Sequence, residues 1–84
     1  MKLAFTKKSD RGYQKLSSKI QKKADKQFLL LLQNPSHPSL RARKKTGDVF
    51  EGRIDYHYRF TYLVEDNMIF ILSIGMHDEG LGKK

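Results

Sequence analysis

Residues 68–74, Met-Ile-Phe-Ile-Leu-Ser-Ile, place apolar side chains on both faces of an extended chain. A strand of that kind must be covered on both sides, so it belongs in the middle of a sheet. Two alternating segments precede it at short spacing. Residues 49–55 put Phe50, Gly52 and Ile54 on one side and Glu51, Arg53 and Asp55 on the other. Residues 58–64 group Tyr58, Phe60, Tyr62 and Val64 against Arg59, Thr61 and Leu63. This period of two is the mark of half-buried strands. Glu65-Asp66-Asn67 makes the turn into the apolar strand, and such short connections imply antiparallel neighbours. Residues 2–6, Lys-Leu-Ala-Phe-Thr, alternate as well and read as a further short strand.

The helical signal lies between. Residues 7–15 are polar and suffice for a turn or two of helix. Ser18-Lys19-Ile20-Gln21 has the form of a capping box, a hydroxyl followed three residues later by a glutamine. Ile20, Ala24, Phe28, Leu31 and Leu32 then recur at spacings of three and four, one apolar stripe of a helix. Leu29 to Leu32 is more apolar surface than one stripe needs, so one of these leucines is expected to meet a second surface. Asn34-Pro35 stops the helix, because a residue before proline avoids helical geometry. Residues 34–48 form a loop with a basic core, part of which can add a short edge strand. The expected architecture is a single α+β domain over 1–84. Its sheet is small, antiparallel or mixed, with about four strands, and two N-terminal helices pack on one face.

Charge narrows the function. The 84 residues carry a formal net charge of +8. Residues 1–47 hold 13 Lys/Arg against 2 Asp/Glu, whereas residues 48–84 hold 4 against 7. One small body with that asymmetry presents a positive face, which attracts polyanions. There is no cysteine, which excludes disulfides and thiolate metal sites. No charge-free apolar stretch approaches the ~20 residues of a membrane span, and the first residues lack the apolar stretch of a signal peptide. A cytoplasmic protein is expected, with no membrane contact.

Two residues stand out for chemistry. Arg59 lies on the second of the three successive strands, and His77 lies just past the third. Arginine holds phosphate with a planar, always-charged fork, and histidine moves a proton near neutral pH. A tight turn at Asp66 sets Arg59 about opposite Ser73, and alternation then carries Ser73, Gly75 and His77 on the face of Arg59. Slipping the register by one residue would turn Arg59 into the core. Taken alone, Arg59 reads more readily as an exposed arginine paired with Glu51 or Asp55. Arg41, Arg43, Lys44 and Lys45 form a basic run that suits a nucleic-acid backbone. Tyr56 is the tyrosine placed to reach the surface and stack on a base. His37, between two prolines, is expected to be a rigid loop feature, and His57 a turn residue. The three histidines lack the close pairing of a helical metal site, so neither metal nor cofactor is expected.

Phe5-Thr6-Lys7-Lys8, Asn34-Pro35-Ser36-His37-Pro38-Ser39-Leu40, Arg53-Ile54, Tyr58-Arg59-Phe60 and Ile74-Gly75-Met76-His77-Asp78 occur in that order. In order and spacing the chain resembles the RelE/ParE toxin superfamily, and within it the RelE-type messenger-RNA interferases of type II toxin–antitoxin pairs. The resemblance spans nearly the whole chain. It implies a metal-independent endoribonuclease that inhibits translation by cleaving mRNA, usually on the ribosome. The RNA's own 2′-hydroxyl attacks the adjacent phosphate, and a cognate antitoxin acts as partner. By the same resemblance, Arg59 grips the scissile phosphate and His77 serves as general acid or base. Lys44, Lys45 and Arg53 occupy RNA-binding positions. Many relatives carry a further arginine four residues before the histidine, where this chain has Ser73; that substitution implies weaker activity unless Arg43, Lys44 or Lys45 compensates. The alternatives are a ParE-like toxin that inhibits DNA gyrase without cutting RNA, and an inactive RNA-binding relative.

Overall fold

A computed structural model describes residues 1–76 of the protein. Along the chain run β1 (Lys2–Phe5), α1 (Lys7–Gln14), α2 (Ser18–Gln33), a 3-10 turn (Pro38–Leu40), β2 (Arg43–Thr46), β3 (Val49–Arg53), β4 (Tyr58–Glu65) and β5 (Met68–Met76). Among the described residues the strands form one mixed sheet in the order β1-β5-β4-β3-β2. The apolar β5 is interior, as expected of a strand without a polar face. It pairs in parallel with β1 and antiparallel with β4. The sheet has five strands rather than about four, because the edge strand allowed for within residues 34–48 does form: Arg43, Lys44 and Thr46 pair with β3, with a register shift at Lys45.

The helices begin where hydroxyls cap them. Thr6 Oγ1 accepts a hydrogen bond from the Ser9 amide and starts α1. Ser17, not Ser18, caps α2, accepting from the Ile20 amide. The expected capping box is therefore displaced by one residue, and the Gln21 side chain donates instead to the Tyr13 carbonyl at 2.9 Å. That bond and the Tyr13 hydroxyl donating to Asp25 at 2.8 Å fasten α1 to α2. On α2, Ala24, Phe28 and Leu31 are buried, Leu30 and Leu32 pack against the core, and Leu29 stays exposed. Gln27 is buried too, and it donates to the carbonyls of Ser39 and Arg53, tying the helix to β3 and the 3-10 turn.

Phe60 of β4 is the centre of the core, meeting Phe28 edge-on at 5.1 Å between ring centroids. Gly52 lies directly beneath it on β3. A Cβ at that position would come within 2.5 Å of the Phe60 ring, so only glycine leaves space for the aromatic.

The β4–β5 register has two parts. Asp66 and Asn67 both adopt positive φ, the geometry of a two-residue hairpin turn. This turn pairs Glu65 with Met68 and Tyr62 with Ile71. Thr61 then pairs with Ser73, leaving Leu72 as an extra residue in β5. The bulge changes the phase of the strand. Before it Ile69 and Ile71 are buried, and after it Ile74 is buried, so Ser73 and Gly75 fall on the face opposite the core. Thr6 Oγ1 lies 3.1 Å from the Leu72 carbonyl as donor, linking this bulge to the start of α1.

Candidate nucleic-acid interface

Arg59 pairs across the sheet with Gly75 on one side and Arg53 on the other. The expected partner was Ser73. The hairpin turn moves the register by one residue and the Leu72 bulge by one more, so Arg59 remains on the open face. A one-residue slip alone would have set it against Ile74.

A local turn holds Arg59 in place. The Asp55 carboxylate accepts hydrogen bonds from the amides of His57 and Tyr58 at 2.9 and 3.0 Å. The turn so formed points the carbonyls of Asp55, Tyr56 and Tyr58 at one nitrogen, Arg59 Nη1, at 2.7–3.2 Å. Among the described residues, Nε and Nη2 of Arg59 have no partner, so half of the fork stays available. Arg59 is not paired with the carboxylate of Glu51 or of Asp55; backbone carbonyls hold it instead. Burial pushes its pKa down, as do the charges of Arg53 and Arg43, with Glu51 and Asp55 opposing; a guanidinium remains charged regardless.

Asp55 matters through this turn. Burial acts to raise its pKa, but the His57 and Tyr58 amides and the Lys23 ammonium at 3.5 Å outweigh that and hold it below the usual 3.8. A carboxylate depressed in the folded state stabilises fully above its unfolded pKa and loses that contribution as pH falls through the folded value. The wild-type chain is expected to lose thermal stability between about pH 5 and 3, and Asp55→Asn to flatten part of that loss. Asp55→Ala is also expected to slow any reaction that uses Arg59, by on the order of tenfold or more. Thermal melts across pH and a cleavage assay check both expectations.

Arg41, Arg43, Arg53 and Arg59 line a cleft of about 380 Å³ together with Glu51 and Gly52. Three strands deliver the guanidinium groups of Arg43, Arg53 and Arg59 to one place, and Arg41, a left-handed residue just after the 3-10 turn, adds a fourth. Glu51 is the carboxylate in this cleft. It is buried and lies 3.4 Å from Arg43. Arg53 Nε is buried and has no hydrogen-bond partner among the described residues. A buried donor in that state calls for an acceptor, and a phosphate oxygen is the acceptor that the surrounding charge favours.

The cleft opens into a central groove of about 440 Å³ that shares Arg59 and Glu51 with it and adds Lys45, Lys8, Thr61 and Ser73. Thr61 and Ser73 hydrogen-bond to each other across β4 and β5. Lys44 stands apart from the other predicted residues. It pairs with Phe50, whose side chain belongs to the core face, so it lines neither hollow. His77 lies outside the described residues. Tyr56 is 75% exposed, as base stacking requires. His37 caps the 3-10 turn through Nδ1, which accepts from the Ser39 amide, and its role is structural. Two contributors were missed in the sequence. Glu51 read only as a surface partner for Arg59, not as a buried carboxylate beside Arg43, and Lys8 became legible only once Thr6 fixed where α1 starts.

No family model and no curated protein sequence matches the chain. Solved structures do. A YoeB/ParE toxin from Agrobacterium tumefaciens superposes with a TM-score of 0.79 at 20% identity, covering 92% of this chain and 99% of its own. YafQ from E. coli strain BL21(DE3) gives 0.79 at 10% identity, covering 95% and 97%. The chain has the RelE/ParE toxin fold. A chain of the intact E. coli RelBE toxin–antitoxin complex shows the same fold, with a TM-score of 0.71 at 22% identity over 87% of this chain and 92% of its own. In the RelE/ParE fold described above, the arginine cleft lies on the sheet face away from the core.

Proposed function

We propose that the protein is the toxin of a type II toxin–antitoxin pair and cleaves messenger RNA as a metal-independent endoribonuclease on the ribosome. The observation that carries this reading is the Arg59 guanidinium, fixed at one nitrogen by turn carbonyls and open at the others toward a cleft with three more arginines. The solved proteins that share the fold support it, since several are toxins held in complexes with RelB, YefM or DinJ. A cognate antitoxin is accordingly the proposed protein partner.

In the reaction, the 2′-oxygen forms a bond to the neighbouring phosphorus and the bond from phosphorus to the 5′-oxygen breaks. The 2′-hydroxyl proton goes to a base, the 5′-oxygen receives a proton, and a cyclic 2′,3′-phosphate remains. Arg59 stabilises the charge that grows on the phosphoryl oxygens. Arg53, directly across from Arg59 on β3, supplies a second guanidinium to the phosphate, which offsets the serine at position 73. Arg41 and Arg43 hold the flanking backbone, Lys45 borders the groove, and Lys44 meets RNA from the sheet edge. His77 transfers the proton.

Induction in cells followed by transcript mapping tests the assignment. Cuts within translated messages, lost in His77→Ala and in Arg59→Ala, are expected. Growth arrest with intact messages and gyrase-dependent DNA breaks would replace this reading with the ParE-like one.

A further inference from the structure

A second cationic hollow, of about 690 Å³, lies along α1 and is lined by Lys7, Lys8, Arg11 and Lys15 with Gly75 and Met76 at the end of β5. Lys7, Arg11 and Lys15 follow one another at four-residue intervals, so they stack on one helical face. All four basic side chains are exposed, and none pairs with a carboxylate among the described residues. A row of like charges at that spacing destabilises its own helix, and a polyanion laid along it relieves the repulsion. The helix comes this close to the sheet because residue 12 is glycine. A Cβ there would stand 2.4 Å from the Ile74 carbonyl oxygen. The Thr6 cap and its bond to Leu72 fix the other end.

This hollow is continuous with the site already described. Lys8, Ile74, Gly75 and Met76 line both it and the central groove, while Glu51 and Arg59 line both the central groove and the arginine cleft. The three depressions therefore run from the β2 edge past Arg59 to α1.

We infer that α1 forms a second backbone-binding subsite for the same single-stranded RNA, so that the strand gripped at Arg59 continues along Lys7, Arg11 and Lys15. The inference rests on the RNA reading of the cleft. The helix offers charge alone at Lys7, Arg11 and Lys15, so these three positions contact phosphates and not bases.

The test uses the full chain and a 12-nucleotide RNA made uncleavable by 2′-deoxy substitution, with affinity measured from 50 to 200 mM salt. Each phosphate contact on a single strand contributes about 0.7 to the salt slope. The Lys7→Gln, Arg11→Gln, Lys15→Gln triple variant is expected to bind more weakly at 50 mM and to lower the slope by about 2. The affinity ratio of native chain to variant then shrinks about 15-fold over that salt range. Thermal stability that is unchanged or raised shows that the substitutions spare the fold. An unchanged slope in the triple variant, with Arg59→Ala still weakening binding, overturns the α1 subsite alone. If Arg59→Ala also binds like the native chain, the RNA reading falls with it.

Discussion

Replacing Arg59 with lysine is expected to reduce RNA cleavage by a factor of about 100 to 1,000 while leaving the fold intact. The charge survives the change, but the fork does not. Arg59 Nη1 is committed to the carbonyls of Asp55, Tyr56 and Tyr58, and phosphate must be met by the nitrogens that remain. An ammonium has one nitrogen for both tasks. It either stays with the carbonyls and leaves the phosphate, or turns to the phosphate without a fixed direction. Single-turnover cleavage measures the loss, with circular dichroism as the check on folding. Cleavage within tenfold of the native rate would mean that charge alone suffices and that the carbonyl anchor has no catalytic consequence.

The second large effect is on stability. Phe60→Ala is expected to cost about 3–5 kcal/mol. The ring is 1% exposed, packs edge-on against Phe28 and is tilted 33° from the Tyr62 ring, at 5.5 Å. No neighbour can fill the space it vacates, because the residue beneath is Gly52 and carries no side chain. For a domain of this size, such a loss lowers Tm by roughly 15–30 °C. Since small domains are stable by only about 5–15 kcal/mol, the variant is expected to be partly unfolded at 37 °C. Urea denaturation of both chains, fitted with a common slope, measures the difference; a loss under 1 kcal/mol would contradict the central place given to this ring.

Reading the sequence reached the strands and the long helix because each has a face. The alternation in residues 49–55 and 58–64 predicted β3 and β4 with Phe50, Ile54, Tyr58, Phe60 and Tyr62 on the core side, though Val64, expected with them, is exposed; the stripe from Ile20 to Leu32 predicted α2. Where a segment lacks a face, its bounds and its partner stay hidden, as for the edge strand allowed for within residues 34–48. Arg43–Thr46 is exposed at all four positions, so its edge pairing has no apolar signature. Met68–Ile74 is apolar on both sides, so nothing in it marks Leu72 as the residue that changes phase. The placement of Arg59 on the open face was legible from β4 alone, but its partner Gly75 was not, because that depends on the turn and the bulge together. Glu51 was equally hidden. A carboxylate among outward strand residues reads as a partner for Arg59 until β2 is known to bring Arg43 beside it. The parallel pairing of β1 with β5 joins segments at opposite ends of the described chain, and no local pattern encodes it.

That pairing bears on how the molecule comes to exist. Lys2 and Met68 are neighbours in space but 66 residues apart in sequence. Closing so long a loop is entropically unfavourable until other contacts repay it, and folds dominated by distant pairings form slowly. During synthesis, β1 has no sheet partner among the described residues until β5 has left the ribosome. The hydroxyl that caps α1 likewise waits for the Leu72 carbonyl. A nascent chain therefore completes the α1 end of its cationic path late, once β5 is in place to receive both β1 and Thr6.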